Sequence, residues 1–331
     1  MNPKVSIIIP TYNRAKFLGK AIESAINQDY PNKEIIISDN ASTDNTFDVV
    51  KQYLNHPEIK YYRNETNIGM VPNWRKALYE YAKGDYAIVL SDDDFFIDNS
   101  YITKAINLFK SNENIGLVHA NFIIWHQNEN YALRTCFNLP KIIDGKEYFF
   151  NSGNLYPFPH FLTVLFDRNL AISLEAFTEN VPGSDGLLWL KLMLYSNVGF
   201  VIDLVAVYRM HSRNTITNMP VEEHMENLIV FRKPAEMAIR LGLDEQRVKT
   251  LLDNWENFYL VNSLSTAALF KIRNKYRIPF MKIVGKFLKQ SIKHFLVSLI
   301  GYKNFYLLKR TIYKGSIDKK GDYCLLQKFD F

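Results

Sequence analysis

Cysteine is nearly absent from this 331-residue sequence. Cys136 and Cys324 stand alone without a paired spacing, so neither a disulfide framework nor a cysteine-ligated metal is expected. A reducing, cytoplasmic setting is the corresponding expectation. Long apolar runs are also missing: a bilayer span needs about eighteen uninterrupted apolar residues, and Phe287 to Ile300 is broken by Lys289, Lys293 and His294. The opening Met1-Asn2-Pro3-Lys4 leads straight into a strand-like run, and no secretory leader is expected. No strand-like run is followed by G-x-G-x-x-G or G-x-x-x-x-G-K-[ST], which disfavours a dinucleotide dehydrogenase and a P-loop NTPase. Acidic residues are missing from one long window, Lys271 to Lys314, which holds twelve Lys or Arg and no Asp or Glu.

That window explains the formal charge of +6, because the rest of the chain is net acidic. Its basic residues alternate with an apolar stripe (Ile283, Val284, Phe287, Leu288, Ile292, Phe295, Leu296, Leu299 and Ile300) rather than with a groove-binding motif. No nucleic acid is expected as partner. A stripe of this kind flanked by Lys282, Lys286, Lys289 and Lys293 predicts an amphipathic segment lying on an anionic membrane surface. The bland alternative is a helix packed on its own protein with solvated lysines.

The first hundred residues alternate strand-like and helix-like patterns. Strands are predicted at Val5 to Ile9, Glu34 to Ser38, Ile59 to Tyr62 and Tyr86 to Leu90, with helices over Arg14 to Gln28, from Ser42-Thr43-Asp44 to Leu54, and over Asn73 to Ala82. This is the signature of an α/β fold with a mostly parallel sheet. Between about Ile115 and Phe166 the pattern loosens, with a strand expected at Phe161 to Phe166. Another strand is expected at Val201 to Val207. From Val221 onward the chain reads as helical, and a boundary between Asn214 and Val221 divides it into residues 1–215 and 216–331.

In open parallel sheets ligands bind beyond the carboxyl ends of the strands. Ser91-Asp92-Asp93-Asp94 follows the fourth strand, and three adjacent carboxylates repel one another unless a cation or solvent offsets their charge. Mg²⁺ or Mn²⁺ takes one or two carboxylates plus phosphate oxygens, which a diphosphate leaving group supplies. The alternative is a solvated acidic turn before a helix starting near Asp98. Asp39, after the second strand, could accept the N3–H of uracil or thymine, or could form an Asx turn. Asp44 reads as a helix cap. Asp185 stands at the start of the apolar helix Leu187 to Leu192, as a cap or as a general base. His211, after the Val201 to Val207 strand, could meet a metal or a phosphate, or be structural.

In order along the chain, these segments resemble family-2 glycosyltransferases, which have the GT-A fold. Val5-Ser6-Ile7-Ile8-Ile9-Pro10-Thr11-Tyr12-Asn13-Arg14 is similar to the family's opening strand and nucleotide loop. Glu34 to Asp44 resembles its second strand and base-binding acid, followed by Asn67-Ile68-Gly69 and Gly84-Asp85-Tyr86. Ser91-Asp92-Asp93-Asp94 takes the place of the D-x-D motif, Gly183 to Leu190 that of the E-D segment, and Tyr208-Arg209-Met210-His211 that of Y-R-x-H. Two departures stand out: Ser91 replaces the first acid of D-x-D-D, and Ser184 the first of E-D.

The resemblance implies a GT-A sheet with helices on both faces, and a nucleotide-diphosphate sugar donor contacted by Pro10, Thr11, Tyr12, Asn13, Arg14, Asp39, Asn67 and Asp92. It implies Mn²⁺ or Mg²⁺ held by Asp93 and His211, and Asp185 as the base that activates a glycan or lipid-linked acceptor. Assembly of bacterial surface polysaccharide is the associated setting. The rival readings are a sugar-nucleotide-binding protein without activity and a nucleotidyltransferase, although the latter carries a glycine- and arginine-rich phosphate loop where Pro10 to Arg14 has no glycine.

Overall fold

The computed structural model describes residues 2–112, 114–128, 131–211, 220–263 and 323–325. The chain forms two compact units, Met1–Ser212 and Arg213–Phe331.

The first unit opens with β1 (Val5–Thr11), α1 (Ala15–Ile26), β2 (Lys33–Asp39), α2 (Thr46–Lys51), β3 (Ile59–Arg63), α3 (Met70–Lys76) and β4 (Tyr86–Val89). β1 lies between β2 and β4 and runs parallel to both, and β3 extends the parallel set beyond β2. Both faces of this sheet are covered, and the two-residue period shows how. Val5, Ile7, Ile9, Ile35 and Ile37 join one core with Leu18, Ala21, Ile22 and Ala25 of α1. The alternate positions face the other side, where Ser38 Oγ donates to Asn73 of α3 at 2.8 Å. The N-cap of α2 is Asn45 rather than Asp44, yet the Asp44 side chain still holds the starts of two helices: one carboxylate oxygen accepts the Thr46 amide and the other the Ala15 amide.

The second half supplies β5 (Phe95–Phe96), α4 (Tyr101–Ser111), β6 (Ile115–His126), β7 (Tyr131–Thr135), β8 (Ile142–Ile143), α5 (Gly145–Asn151), β9 (Leu165–Asp167), α6 (Arg168–Ser173), α7 (Ser184–Tyr195) and β10 (Asn197–Met210). β9 bridges β4 and β6, antiparallel to both. β10 runs parallel to β6 with register breaks between Val201 and Leu204 and between Leu204 and Val207, and its later part pairs antiparallel with β5.

Two elements differ from the sequence expectation. The long strand β6 lies where the pattern loosens, because its residues are buried on both faces and show no alternation. Phe161 to Thr163 is a 3₁₀ turn rather than strand: the Thr163 amide and hydroxyl both donate back to the His160 carbonyl, and Phe161 packs among Trp74, Phe177 and Trp189.

Gly145 lets α5 approach the end of α7. A Cβ there would lie 1.8 Å from the Ser196 carbonyl oxygen and 2.3 Å from that of Met193, both backbone atoms that cannot swing aside. Gly145→Ala is expected to destabilise the fold by about 1–3 kcal/mol, read as a lowered urea midpoint. An unchanged midpoint would show that the two helices separate freely.

In the second unit, α8 (Val221–Glu226), α9 (Ile229–Arg240) and α10 (Glu245–Ser263) precede a short strand, β11 (Tyr323–Leu325). Phe231 packs on Trp255 and Tyr259, and the Tyr259 hydroxyl meets His224 Nδ1 and Asn227 Nδ2. The basic window Lys271 to Lys314 lies outside the described residues. Among those described, no helix is long and apolar enough to cross a membrane.

Candidate active site

The carboxyl ends of β1, β2 and β4 place three loops side by side, and polar side chains fix their spacing. Asn13 takes a left-handed conformation (φ 54°), its amide donating to Ser42 Oγ and its side-chain oxygen accepting the Thr43 amide at 2.7 Å. Its side chain therefore ties the loop after β1 to the loop after β2. Asp39 is almost wholly enclosed: Oδ1 accepts the Ser42 amide, closing an Asx-type turn, while Oδ2 accepts the Tyr61 hydroxyl at 2.6 Å and faces Arg63 at 3.5 Å. Burial, then Asp39, pushes the Tyr61 phenol upward. Asn67 lies on an exposed loop, its oxygen accepting from Asn40 Nδ2 and the Gly69 amide. Asn40 in turn contacts Asn64, which contacts Asn73, so a chain of amides holds this loop on the strand ends. Pro10 is partly buried, Thr11 buried, and Tyr12 exposed at the mouth.

After β4 the acids separate in role. Asp94 is buried, and its Oδ1 accepts the Arg209 amide at 2.9 Å. With the pairing of Phe95 and Phe96 to Val207 and Ala206, this bond brings the end of β10 back beside the acidic loop. His211 consequently meets Asp93, Nε2 to Oδ2 at 3.0 Å, although they are 118 residues apart in sequence. Phe17 of α1 stacks on the His211 ring with centroids 5.0 Å apart and planes 13° from parallel. Arg14 completes the group, with Nη1 3.4 Å from Asp93 Oδ2 and 3.2 Å from His211 Nε2.

Asp92 and Asp94 pay for their enclosure. Burial raises the Asp92 carboxyl to about 7, with the Asp93 charge adding to it, and burial followed by Asp93 holds Asp94 well above the usual carboxylate range.

Asp185 is the second residue of α7, whose N-cap is Gly183. The helix-cap alternative is thus met by a first-turn carboxylate rather than by a cap position. Burial raises Asp185 to about 6 against the opposing pull of the Gly186 and Asp185 amides. Its place is marked by Tyr208, whose hydroxyl is pushed upward by burial and then by the charges of Asp94, Asp93 and Asp185. One phenol on β10 therefore feels both the acidic loop and the α7 carboxylate. His160 lies against the same ring, centroids 4.7 Å apart, with burial holding its imidazole down at about 4 and hence neutral.

Asp93 and His211 fit a divalent cation. Two adjacent ligands of an octahedral ion at about 2.1 Å stand about 3.0 Å apart, the separation that Oδ2 and Nε2 show. Among the described residues no group of three or more His, Cys, Asp or Glu side chains could hold a metal, so an ion here needs oxygens from a ligand.

Phe17, Tyr61, Tyr208 and His160 carry structural or electrostatic weight that the sequence does not assign to the site. Phe17 reads only as part of the apolar face of α1, and Tyr61 only as strand. Tyr208 stands three residues before His211, the residue to which the sequence assigns the chemistry.

Comparison with known proteins bears on the family and the fold. A 224-residue alignment at 30% identity, covering 65% of the chain and 67% of its relative, links it to the GalNAc(5)-diNAcBac-PP-undecaprenol beta-1,3-glucosyltransferase of Campylobacter jejuni. Two other relatives, an uncharacterized glycosyltransferase of Haemophilus influenzae and a putative glycosyltransferase of Bacillus subtilis, are matched over about half of their length. Among solved structures, residues 1–349 of S. aureus TarS in complex with UDP-GlcNAc superpose with a TM-score of 0.64 at 18% identity, over 86% of this chain and 81% of that one. A Pyrobaculum calidifontis mannosyltransferase in complex with GDP-Man and Mn²⁺ gives 0.55 at 17% identity, over 96% and 89%. At these identities the likeness concerns the fold, which is of GT-A type. Residues 6–173, half of the chain and the whole span from β1 to α6, match the pattern of glycosyl transferase family 2. The chain belongs to that family.

Proposed function

We propose that the chain is an inverting glycosyltransferase that moves a sugar from a nucleotide-diphosphate donor, UDP- or dTDP-linked, to an acceptor hydroxyl in bacterial glycan assembly. The observation that carries this reading is the meeting of Asp93 and His211, Oδ2 to Nε2 at 3.0 Å, beyond the carboxyl ends of the parallel strands. Asp185, in the first turn of α7, is the candidate base.

In this reading Asp93 and His211 hold Mn²⁺ or Mg²⁺, which when bound supplies Lewis-acid stabilisation of the departing diphosphate. Pro10 to Arg14 line the donor's place, and Asp92 meets its ribose. Asp39 sets the nucleobase end through the Tyr61 and Arg63 contacts that already organise its carboxylate, and Asn67 shapes the flanking loop. Asp185 takes the proton of the acceptor hydroxyl as that oxygen attacks the anomeric carbon. The new glycosidic bond forms as the bond to the diphosphate oxygen breaks, with one inversion and no covalent intermediate. His160, neutral and beside Tyr208, contributes an uncharged wall on the acceptor side.

Incubation with UDP-, dTDP- and GDP-sugars and Mn²⁺ tests the proposal by nucleoside diphosphate release. One donor class is expected to be consumed, faster with acceptor present. Binding without release would instead favour a silent sugar-nucleotide-binding protein.

The sequence supports one addition. The basic, acid-free window Lys271 to Lys314 would place a cytoplasmic enzyme on an anionic membrane surface, where a lipid-linked acceptor presents its hydroxyl. The full chain is expected to co-sediment with anionic but not neutral vesicles and to be released by high salt. Equal binding of a chain truncated before Lys271 would remove this element.

A further inference from the structure

We propose that Arg14 competes with the divalent cation for the Asp93–His211 pair, serving as the pair's resident cation until a metal displaces it. This rests on reading Asp93 and His211 as the metal ligands. Arg14 Nη1 lies 3.4 Å from Asp93 Oδ2 and 3.2 Å from His211 Nε2, and those two atoms are 3.0 Å from each other. The side chains are mostly withdrawn from water, with 20% exposure for Arg14, 12% for Asp93 and 7% for His211, so solvent screens the contacts only in part.

The three contacts cannot all be hydrogen bonds at once. A guanidinium nitrogen only donates and an ionised carboxylate oxygen only accepts. If Nε2 carries a hydrogen, it serves Asp93 and faces the Arg14 N–H groups; if it carries a lone pair, it accepts from Arg14 and faces the Asp93 lone pairs. One contact is mismatched in either tautomer. A divalent ion resolves the conflict, since it bonds the lone pairs of Oδ2 and Nε2 together. It also repels a guanidinium that sits within 3.5 Å of both atoms.

Position supports an exchange rather than a permanent ion pair. Arg14 is the N-cap residue of α1, and Phe17, one turn later, stacks on His211. The imidazole therefore keeps its place through the Phe17 platform when the guanidinium leaves. The displaced Arg14 remains at the mouth of the donor loop, where its planar fork suits a diphosphate.

The test is direct Mn²⁺ binding to the full chain without nucleotide, followed by the free-ion electron paramagnetic resonance signal. Arg14→Gln is expected to bind Mn²⁺ about ten-fold tighter than the unaltered chain, and Arg14→Lys to return toward the weaker affinity. A rise in affinity separates this role from structural support, whose loss would weaken binding. Unchanged or weaker binding by Arg14→Gln would overturn the proposal. Asp93→Asn separates the two layers: if it abolishes Mn²⁺ binding while Arg14→Gln changes nothing, only the role of Arg14 fails. If Mn²⁺ binds Asp93→Asn as it binds the unaltered chain, the ligand assignment fails and the proposal with it.

Discussion

Asp93→Asn is expected to abolish sugar transfer, with a fall in turnover of about 10³-fold or more, while the protein remains folded. Asp93 is partly exposed, and its Oδ2 faces Arg14 at the N-terminus of α1 and His211 just beyond β10. Packing of the strand does not depend on its charge. An amide keeps the shape but loses the negative oxygen that binds a cation, and Lewis-acid stabilisation of a leaving diphosphate contributes several kcal/mol, each 1.36 kcal/mol being about ten-fold in rate. The charge relief works on the fold in the opposite direction. Asp93 raises both Asp92 and Asp94, so its neutralisation should lower their carboxyls and leave the unfolding midpoint at pH 7 unchanged or higher. A variant that unfolds instead, or keeps full activity in chelator, would contradict the assignment.

Asp185→Asn is expected to lower kcat by about 10²–10⁴-fold with donor affinity retained within a few-fold, because the donor and cation contacts come from other elements. In the unaltered protein the acidic limb of the rate profile should rise through an apparent value near 6, since the base must be ionised and burial raises Asp185 to about 6. The same shift makes a stability statement. A carboxyl raised in the folded state adds stability that is complete below its unfolded value near 4 and is lost as pH rises through 6. At pH 7.5 the ionised Asp185 thus costs on the order of 2–3 kcal/mol, and Asp185→Asn should melt higher than the parent there and lose that advantage near pH 4. Coincident loss of stability and donor affinity would instead mark Asp185 as a helix-terminus support.

The two substitutions separate because their carboxylates come from different elements, Asp93 from the loop after β4 and Asp185 from the first turn of α7. The strand ends were readable from sequence: a parallel sheet carries ligands beyond its carboxyl edge, and Thr11, Asp39 and the Asp92 to Asp94 run all lie there. The pairing that assembles the site was not. Asp93 and His211 meet through β5, two residues long, and through one bond from the Arg209 amide to Asp94. Neither has a local pattern, because each depends on partners more than a hundred residues away. Long burial without alternation likewise concealed β6 as a strand.

Polar residues show the complementary difficulty. Asn13, Asp39 and Asn67 follow strands or start a turn, the context expected of ligand contacts. In the fold each is bonded to neighbouring backbone or side chains. Composition cannot distinguish an amide that holds a loop from one that holds a nucleotide, since both need a donor and an acceptor at the same edge. Asp185 presents the same ambiguity at a helix start, where a first-turn carboxylate and a general base call for the same residue.

The most direct test of the central claim, a cation-assisted nucleotide-sugar site built on Asp93, is a thermal-shift comparison of the full chain and Asp93→Asn against UDP-, dTDP- and GDP-sugars, each with Mn²⁺ and with chelator. The account predicts that one nucleotide-sugar class raises the melting temperature of the parent by several degrees with Mn²⁺ and by much less in chelator, as binding to the folded state alone requires. In Asp93→Asn the difference between Mn²⁺ and chelator should disappear. The same shift in chelator for the parent, or an undiminished Mn²⁺ effect in Asp93→Asn, would contradict it.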